Sequence, residues 1–222
     1  MKKVNPVTTK NLLREIKTQK SKIKFVNGLR IKVCRGVFPP QSRWSRSSKP
    51  IHDLLVDVSG KKVLDIGTGT GVQAIHSAKS GAEMVVATDI NPEAVECAKF
   101  NVSLNGFENK ITVFKSDLFK SVPKEKFDVI IANLPITDYL AKGIVSAALY
   151  DPDYKIHKRF FKNAGVYLKA DGYILMSHIN FKGKDDFDDF EKMIAKHGYK
   201  VDKYADKKAL GYTWRIYKIS RE

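Results

Sequence analysis

Short continuous apolar runs alternate along the chain with longer segments whose apolar residues recur at helical spacing. The runs lie at 63–66, 84–89, 111–114, 127–132 and 172–177. Runs of this kind are typical of strands that are buried on both faces of a parallel sheet. The alternation predicts an α/β fold, a doubly wound sheet with helices on both faces.

The two ends of the chain add further elements to this pattern. Apolar positions among lysines predict a short amphipathic helix within residues 1–20. Asn27-Gly28 separates two alternating runs, which is a strong β-hairpin signal. Residues 199–204 and 213–219 predict a terminal hairpin-like pair of strands joined by a Lys-rich loop.

The positive charge of the chain is concentrated in its first quarter. The net charge is +16, and residues 1–50 hold 14 Lys or Arg and a single acid, Glu15. We therefore predict a basic N-terminal arm, residues 1–50, followed by a main domain, residues 51–222. Such an arm is typical of phosphate contact with nucleic acid, although a solvated Lys-rich surface has the same composition.

Other features of the composition limit the classes of protein to be considered. No run is long enough to cross a bilayer, and the basic N-terminus lacks the apolar core of a secretory signal. Cys34 and Cys97 lie far apart without metal-ligand spacing, and no His/Cys cluster suggests zinc. We expect two reduced thiols, no metal and no membrane contact in a cytoplasmic protein.

A glycine-rich stretch follows the first buried run. Gly67, Gly69 and Gly71 come directly before a helix-compatible segment, an arrangement that brings a nucleotide close to the backbone. Asp65, two residues before the first glycine, would repel a pyrophosphate and would favour a ligand that carries ammonium and sulfonium groups. S-adenosylmethionine is such a ligand. A purely structural tight turn is the alternative.

Polar residues also follow the later strands. Asp89 lies 22 residues after Gly67, where a carboxylate accepts hydrogen bonds from ribose hydroxyls. We interpret Asp117 as a partner for an adenine amino group or, alternatively, as a loop cap. Asn133 follows the fourth run. It is a candidate for orienting a substrate nitrogen, and the alternative is a structural role at the strand end. Asp151-Pro152-Asp153-Tyr154 follows no strand and predicts a helix start.

Four segments together resemble the class I S-adenosylmethionine-dependent methyltransferases. They are Asp65–Gly71, Thr88–Ala94, Ser116–Leu118 and Asn133–Ile136. Within that superfamily the chain is most similar to the release-factor glutamine methyltransferases and the small RNA base N-methyltransferases. The resemblance implies a Rossmann-like seven-stranded sheet whose last strand is antiparallel. It departs at Leu134 and Ile136, where the group usually has proline and an aromatic residue.

The resemblance assigns roles to residues of this chain. Catalytic roles fall on Asn133, Leu134 and Pro135, because the Asn side chain and the following backbone carbonyl would accept hydrogen bonds from a planar –NH2 group. The implied cofactor contacts are Asp65, Gly67, Thr68, Gly69, Gly71, Asp89, Ile90, Asp117, Leu118 and Asn133. The expected substrate contacts are Ile136, Tyr139, Pro40, Arg43 and Trp44, of which Tyr139 would supply the missing aromatic face.

These observations favour an N-methyltransferase that acts on an RNA base amine or on a glutamine amide of the translation apparatus. The partner would be RNA or a ribosome-associated protein. Two alternatives stay open at this point: a small-molecule methyltransferase, and a non-catalytic basic RNA-binding module that keeps the fold. A nicotinamide dehydrogenase is disfavoured by Asp65 and by the Asn-x-Pro sequence after the fourth run.

Overall fold

The computed structural model describes residues 6–40, 57–136, 149–180, 185–209 and 212–222. The strands are β1 Lys22–Val26, β2 Leu29–Val33, β3 Lys62–Ile66, β4 Met84–Asp89, β5 Ile111–Lys115, β6 Phe127–Ala132, β7 Leu168–Asn180, β8 Tyr199–Ala209 and β9 Tyr212–Arg221. The helices are α1 Pro6–Thr18, α2 Val72–Lys79, α3 Pro92–Leu104, α4 Lys155–Tyr167 and α5 Asp185–Lys196, with a 3₁₀ turn at Pro152–Tyr154.

Seven strands form one sheet in the order β5-β4-β3-β6-β7-β9-β8. Strands β3 to β7 pair in parallel, whereas β9 pairs antiparallel with both β7 and β8. The chain moves outward from β3 to β5 and then crosses to the other side of β3 to form β6. The predicted doubly wound sheet with an antiparallel last strand is confirmed.

Alternate residues of the central strands enter two separate apolar cores. Val63, Val85 and Val129 pack in one core together with residues of α2 and α3. Leu64 and Ile130 pack in the other core with residues of α4 and α5. Because both faces of the sheet are covered, the strands need apolar residues at successive positions, which explains the continuous runs in the sequence.

The N-terminal hairpin packs onto this sheet domain. Asn27 and Gly28 both have positive φ, 50° and 73°, as a two-residue type I′ turn requires. Val26, Leu29 and Ile31 belong to the same apolar core as β3 and β4. The predicted helix and hairpin are confirmed, and the hairpin shares its core with the domain that follows.

A disulfide joins Cys34 to Cys97, 63 residues away along the chain. The expectation of two reduced thiols is therefore wrong. It relied on the separation of the two residues in sequence and on the rarity of disulfides in the cytoplasm. The fold brings them together because β2 lies beside α3, where Asn101 exchanges hydrogen bonds with the backbone of Lys32.

Strand β7 is longer than the predicted run at 172–177. Its pairing with β6 shifts register between Phe127 and Val129, which accommodates additional residues of β7 before Tyr173. Gly172 lies at this irregularity, and a Cβ atom there would be 2.9 Å from the carbonyl oxygen of Asp128 and 3.1 Å from that of Phe127. The predicted terminal pair is a hairpin, but its lysines at 207 and 208 belong to β8.

We expect Gly172→Ala to lower the free energy of unfolding by roughly 1–3 kcal/mol, because the added methyl group would collide with two backbone carbonyls that cannot rotate away. Urea unfolding measures this effect. Gly165→Ala is the matched control, since there the nearest atoms are the ends of the Arg221 and Tyr199 side chains. Equal losses in the two variants would contradict the proposed backbone clash.

Candidate active site

The carboxyl ends of β3 and β6 meet at the point where the strand order reverses. Open α/β sheets bind their ligands in the crevice outside such a point. A Cβ atom at Gly67, just after β3, would lie 3.9 Å from the backbone oxygen of Asn133 and 4.0 Å from Leu134 Cδ2. The glycine stretch and the Asn133 segment are therefore neighbours, as the sequence predicted.

The glycine stretch forms a loop that is anchored to β4 through its backbone. Gly67 and Thr68 both donate their N–H groups to the carbonyl oxygen of Thr88, at 2.8 and 2.9 Å. Gly71 has a φ of 79° and caps α2, and a Cβ atom there would lie 3.2 Å from that of Ala98. Gly69 has a φ of 58°, and its missing Cβ would meet nothing within 4 Å. The loop therefore presents open space at Gly69.

Asp65 lies beneath this loop, only 1% exposed. Its Oδ2 accepts a hydrogen bond of 2.6 Å from the Thr68 hydroxyl. Burial raises the pKa of the Asp65 carboxyl to about 7, against the opposing effect of hydrogen bonds from Thr68 and from the backbone of Ala74. Asp65 therefore anchors the loop through Thr68 and is itself shielded from solvent.

Asp89 connects the loop to the end of β4. Its Oδ2 accepts the N–H of Gly69 and its Oδ1 accepts the N–H of Asn91, both at 2.9 Å. Burial raises the pKa of the Asp89 carboxyl as well. Its neighbour Ile90 is 43% exposed, an unusual state for a large apolar side chain beside a crevice.

Asn133 is held by a residue that the sequence analysis did not single out. Ser177 of β7 donates a hydrogen bond from its hydroxyl to Asn133 Oδ1. The register that pairs Ala132 with Met176 brings these next residues together. The position of Ser177 at the end of the fifth apolar run was the available sequence signal. Leu134 is buried in the core under α4 and α5, whereas Pro135 and Ile136 are half-buried.

Known proteins are similar to this chain in sequence and in fold. The model of the ribosomal protein L11 methyltransferase (PrmA) family matches residues 53–149. A putative protein N5-glutamine methyltransferase of Methanocaldococcus jannaschii is 44% identical over 110 residues, covering 50% of this chain and 52% of that protein. The crystal structure of a ribosomal protein L11 methylase from Lactobacillus delbrueckii subsp. bulgaricus has a TM-score of 0.59 at 26% identity, covering 79% of this chain and 76% of that one.

The chain is related to the class I methyltransferases. The resemblance that the motifs suggested is thereby confirmed, and these motifs lie mostly within the matched residues 53–149. The chain spans about half the length of the glutamine methyltransferase relative. The crystal structure of the Methanocaldococcus jannaschii tRNA m1G37 methyltransferase has the same fold, with a TM-score of 0.66 at 22% identity over 92% of this chain and 55% of that one.

Asp117 and Leu118, two further residues of the predicted cofactor site, follow β5 at the edge of the sheet. Asp117 Oδ2 accepts a hydrogen bond of 2.7 Å from Arg159 of α4, and both side chains are substantially exposed. Leu118 has a φ of 52°, a conformation rare outside glycine, and its carbonyl accepts the hydroxyl of Ser116. The sequence indicated the acid but not its basic partner, because Arg159 belongs to a helix 42 residues away.

The remaining predicted residues fall into three groups. Pro40 is buried at the end of the segment after the hairpin. Arg43, Trp44 and Tyr139 lie outside the described residues. Asp151 begins α4 as predicted, because its carboxylate accepts the N–H groups of Ile156 and His157.

The described part of the chain shows neither a metal site nor a membrane-spanning helix. Within those ranges, no group of three or more His, Cys, Asp or Glu side chains is arranged to hold a metal ion. In the same ranges, no helix is both long enough and apolar enough to cross a membrane.

We expect the contribution of Asp65 to stability to fall as pH rises. Its folded pKa of about 7 exceeds the unfolded value of 3.8, so the folded state binds the proton more tightly between these values. The measurement is urea unfolding from pH 4 to 8. The free energy of unfolding of Asp65→Asn, relative to that of the wild type, should rise by up to about 4 kcal/mol across this window and then level off. Parallel profiles would show that Asp65 titrates normally.

Proposed function

We propose that this protein is an S-adenosylmethionine-dependent N-methyltransferase of the translation apparatus. Its substrate would be an RNA base amine or a glutamine amide of a ribosome-associated protein. The observation that carries the proposal is the position of Asn133, at the end of β6, with its backbone oxygen 3.9 Å from the Cβ position of Gly67. An amide side chain at this position would supply a hydrogen-bond acceptor beside the glycine loop.

The residues around the crevice fit the cofactor. Gly69 leaves space that any larger residue would fill, and a cationic ligand would favour the ionised form of the Asp65 carboxyl behind the loop. Asp89 accepts backbone hydrogen bonds at both of its oxygens, and a carboxylate oxygen can accept a further one from a ribose hydroxyl. Exposed Ile90 would cover an adenine face, and Asp117 would accept from the adenine amino group. The bound cofactor supplies the electrophilic methyl group.

The chain itself contributes orientation at the substrate nitrogen. Asn133 Oδ1 and the Leu134 carbonyl oxygen would accept the two N–H bonds of a planar amine and direct its lone pair into the crevice. Ser177 already donates to Asn133 Oδ1, which fixes the rotation of the amide. The buried Leu134 side chain anchors the backbone between these acceptors. No dedicated base is required, because the proton leaves after methyl transfer.

The substrate class is supported by charge and by the relatives. The concentration of cations in residues 1–50 favours a polyanionic partner such as RNA or the ribosome. The relatives are named for methylating ribosomal protein L11 or a protein glutamine. A small-molecule substrate is less favoured, because it would give no role to the cations concentrated in residues 1–50. A substrate in the translation apparatus would be met in the cytoplasm, and we propose that location for the protein.

The direct test is transfer of labelled methyl groups from the cofactor to separated RNA, ribosomes, ribosomal proteins and small metabolites. We expect label in RNA or in a ribosome-associated protein. Asn133→Ala should lower kcat/KM by roughly 100-fold or more while the cofactor Kd changes little, because only substrate orientation is lost. Label in metabolites alone, or full activity of Asn133→Ala, would reject the proposal.

The cofactor site has a separate test in Gly69→Ala. The added methyl group would enter the space we assign to the ligand, so we expect at least about tenfold weaker binding of S-adenosylmethionine by calorimetry. Gly106→Ala is the matched control, since its φ of 74° imposes similar strain and its surroundings are also open. Both variants should lose about 1 kcal/mol of stability. Unchanged affinity in Gly69→Ala would place the cofactor elsewhere.

A further inference from the structure

The N-terminal hairpin has an outward face that the catalytic proposal does not use. The register pairs Ile23 with Lys32 and Phe25 with Arg30. Directly opposed residues lie on the same face of a two-stranded sheet, and the next pair lies on the other face. Val26 and Leu29 form such an alternate pair and are buried in the core. The face that carries Ile23, Phe25, Arg30 and Lys32 therefore points outward.

Large apolar side chains are concentrated on this outward face. Phe25 is 80% exposed and Ile23 is 48% exposed. Phe100 of α3 continues the surface, being 44% exposed with Lys32 Nζ located 4.2 Å from its ring centre. We call these five residues the hairpin face: Ile23, Phe25, Arg30, Lys32 and Phe100. Only six large hydrophobic residues of the described chain are exposed, and three of them lie here.

All the charged side chains of the hairpin are positive. Residues 19–35 contain six Lys or Arg and neither Asp nor Glu. The nearest acids on α3 are Glu93, which packs against Gly36, and Glu96, which forms an ion pair of 2.9 Å with Lys99. A second copy of this surface would be repelled, whereas a polyanion with planar groups would be attracted. Exposed aromatic rings among cations are typical of surfaces that bind single-stranded nucleic acid.

The hairpin is held firmly beside α3, which begins at the candidate active site. Arg30 donates its backbone N–H to Asn105 near the end of α3, and Asn91 at its start donates to the carbonyl oxygen of Gly36. The Cys34–Cys97 disulfide lies between these two contacts. The hairpin therefore runs along α3 for roughly 20 Å from the crevice edge near Asp89.

We propose that the hairpin face binds an unpaired segment of RNA. The bases stack on Phe25 and Phe100, and the phosphates contact Arg30 and Lys32. The hairpin face would give the proposed enzyme its RNA recognition, and this role rests on the proposed function. Binding itself is measured without cofactor and without turnover, so each proposal can fail alone.

The test measures fluorescence anisotropy of a labelled single-stranded RNA of about 12 nucleotides with the full chain. We expect Phe25→Ser and Phe100→Ser each to weaken binding by about fivefold or more through the loss of stacking. Arg30→Gln should reduce the slope of log K against log salt by about 0.7. Val166→Ser is the control, because this apolar residue is 59% exposed on α4, which packs in the other core from the hairpin, and should leave RNA affinity unchanged.

Three results would overturn the inference. The first is equal affinity of wild type and Phe25→Ser, and the second is equal affinity for the RNA and for its duplex, since paired bases cannot stack on Phe25. The third is a dimer in sedimentation that Phe25→Ser dissociates, which would make the hairpin face an interface between copies. Cofactor titration of Phe25→Ser should match the wild type, because the substitution leaves the glycine loop and its two anchoring acids unchanged.

Discussion

The candidate site depends on the hydrogen bonds that two buried carboxylates accept from one glycine loop. Asp65 takes the hydroxyl of Thr68, and Asp89 takes the N–H of Gly69. Each carboxylate lies at or near the end of a parallel strand, so the sheet sets the separation of the two anchors. Their burial opposes ionisation, which is why both pKa values are raised. The loop is thus anchored by two acids whose desolvation costs stability.

The substrate side of the crevice is organised by a different kind of contact. Asn133 gains its orientation from Ser177 on the neighbouring strand and from the burial of Leu134 beside it. Both contacts are made by neutral groups. The separation of acids on β3 and β4 from neutral groups on β6 and β7 follows from the strand order.

Local patterns in the sequence predicted most elements, because each depends on neighbouring residues. Asn27-Gly28 specified a turn, and Asn91-Pro92 specified the start of α3, where Asn91 Oδ1 accepts the N–H of Glu93. Contacts between distant segments were not predictable in this way. The Cys34–Cys97 bond, the Arg159–Asp117 pair and the Ser177–Asn133 bond each join residues that share no local pattern. They depend on which elements the fold places side by side.

The place of β9 between β7 and β8 has a consequence for how the chain acquires its structure during translation. The ribosome produces β8 before β9, yet β8 pairs only with β9 within the described sheet. Until β9 emerges, the outer edge of β7 is open and β8 has no partner strand. The parallel half of the sheet can assemble earlier, so the nascent protein would complete its cofactor crevice before the antiparallel edge closes.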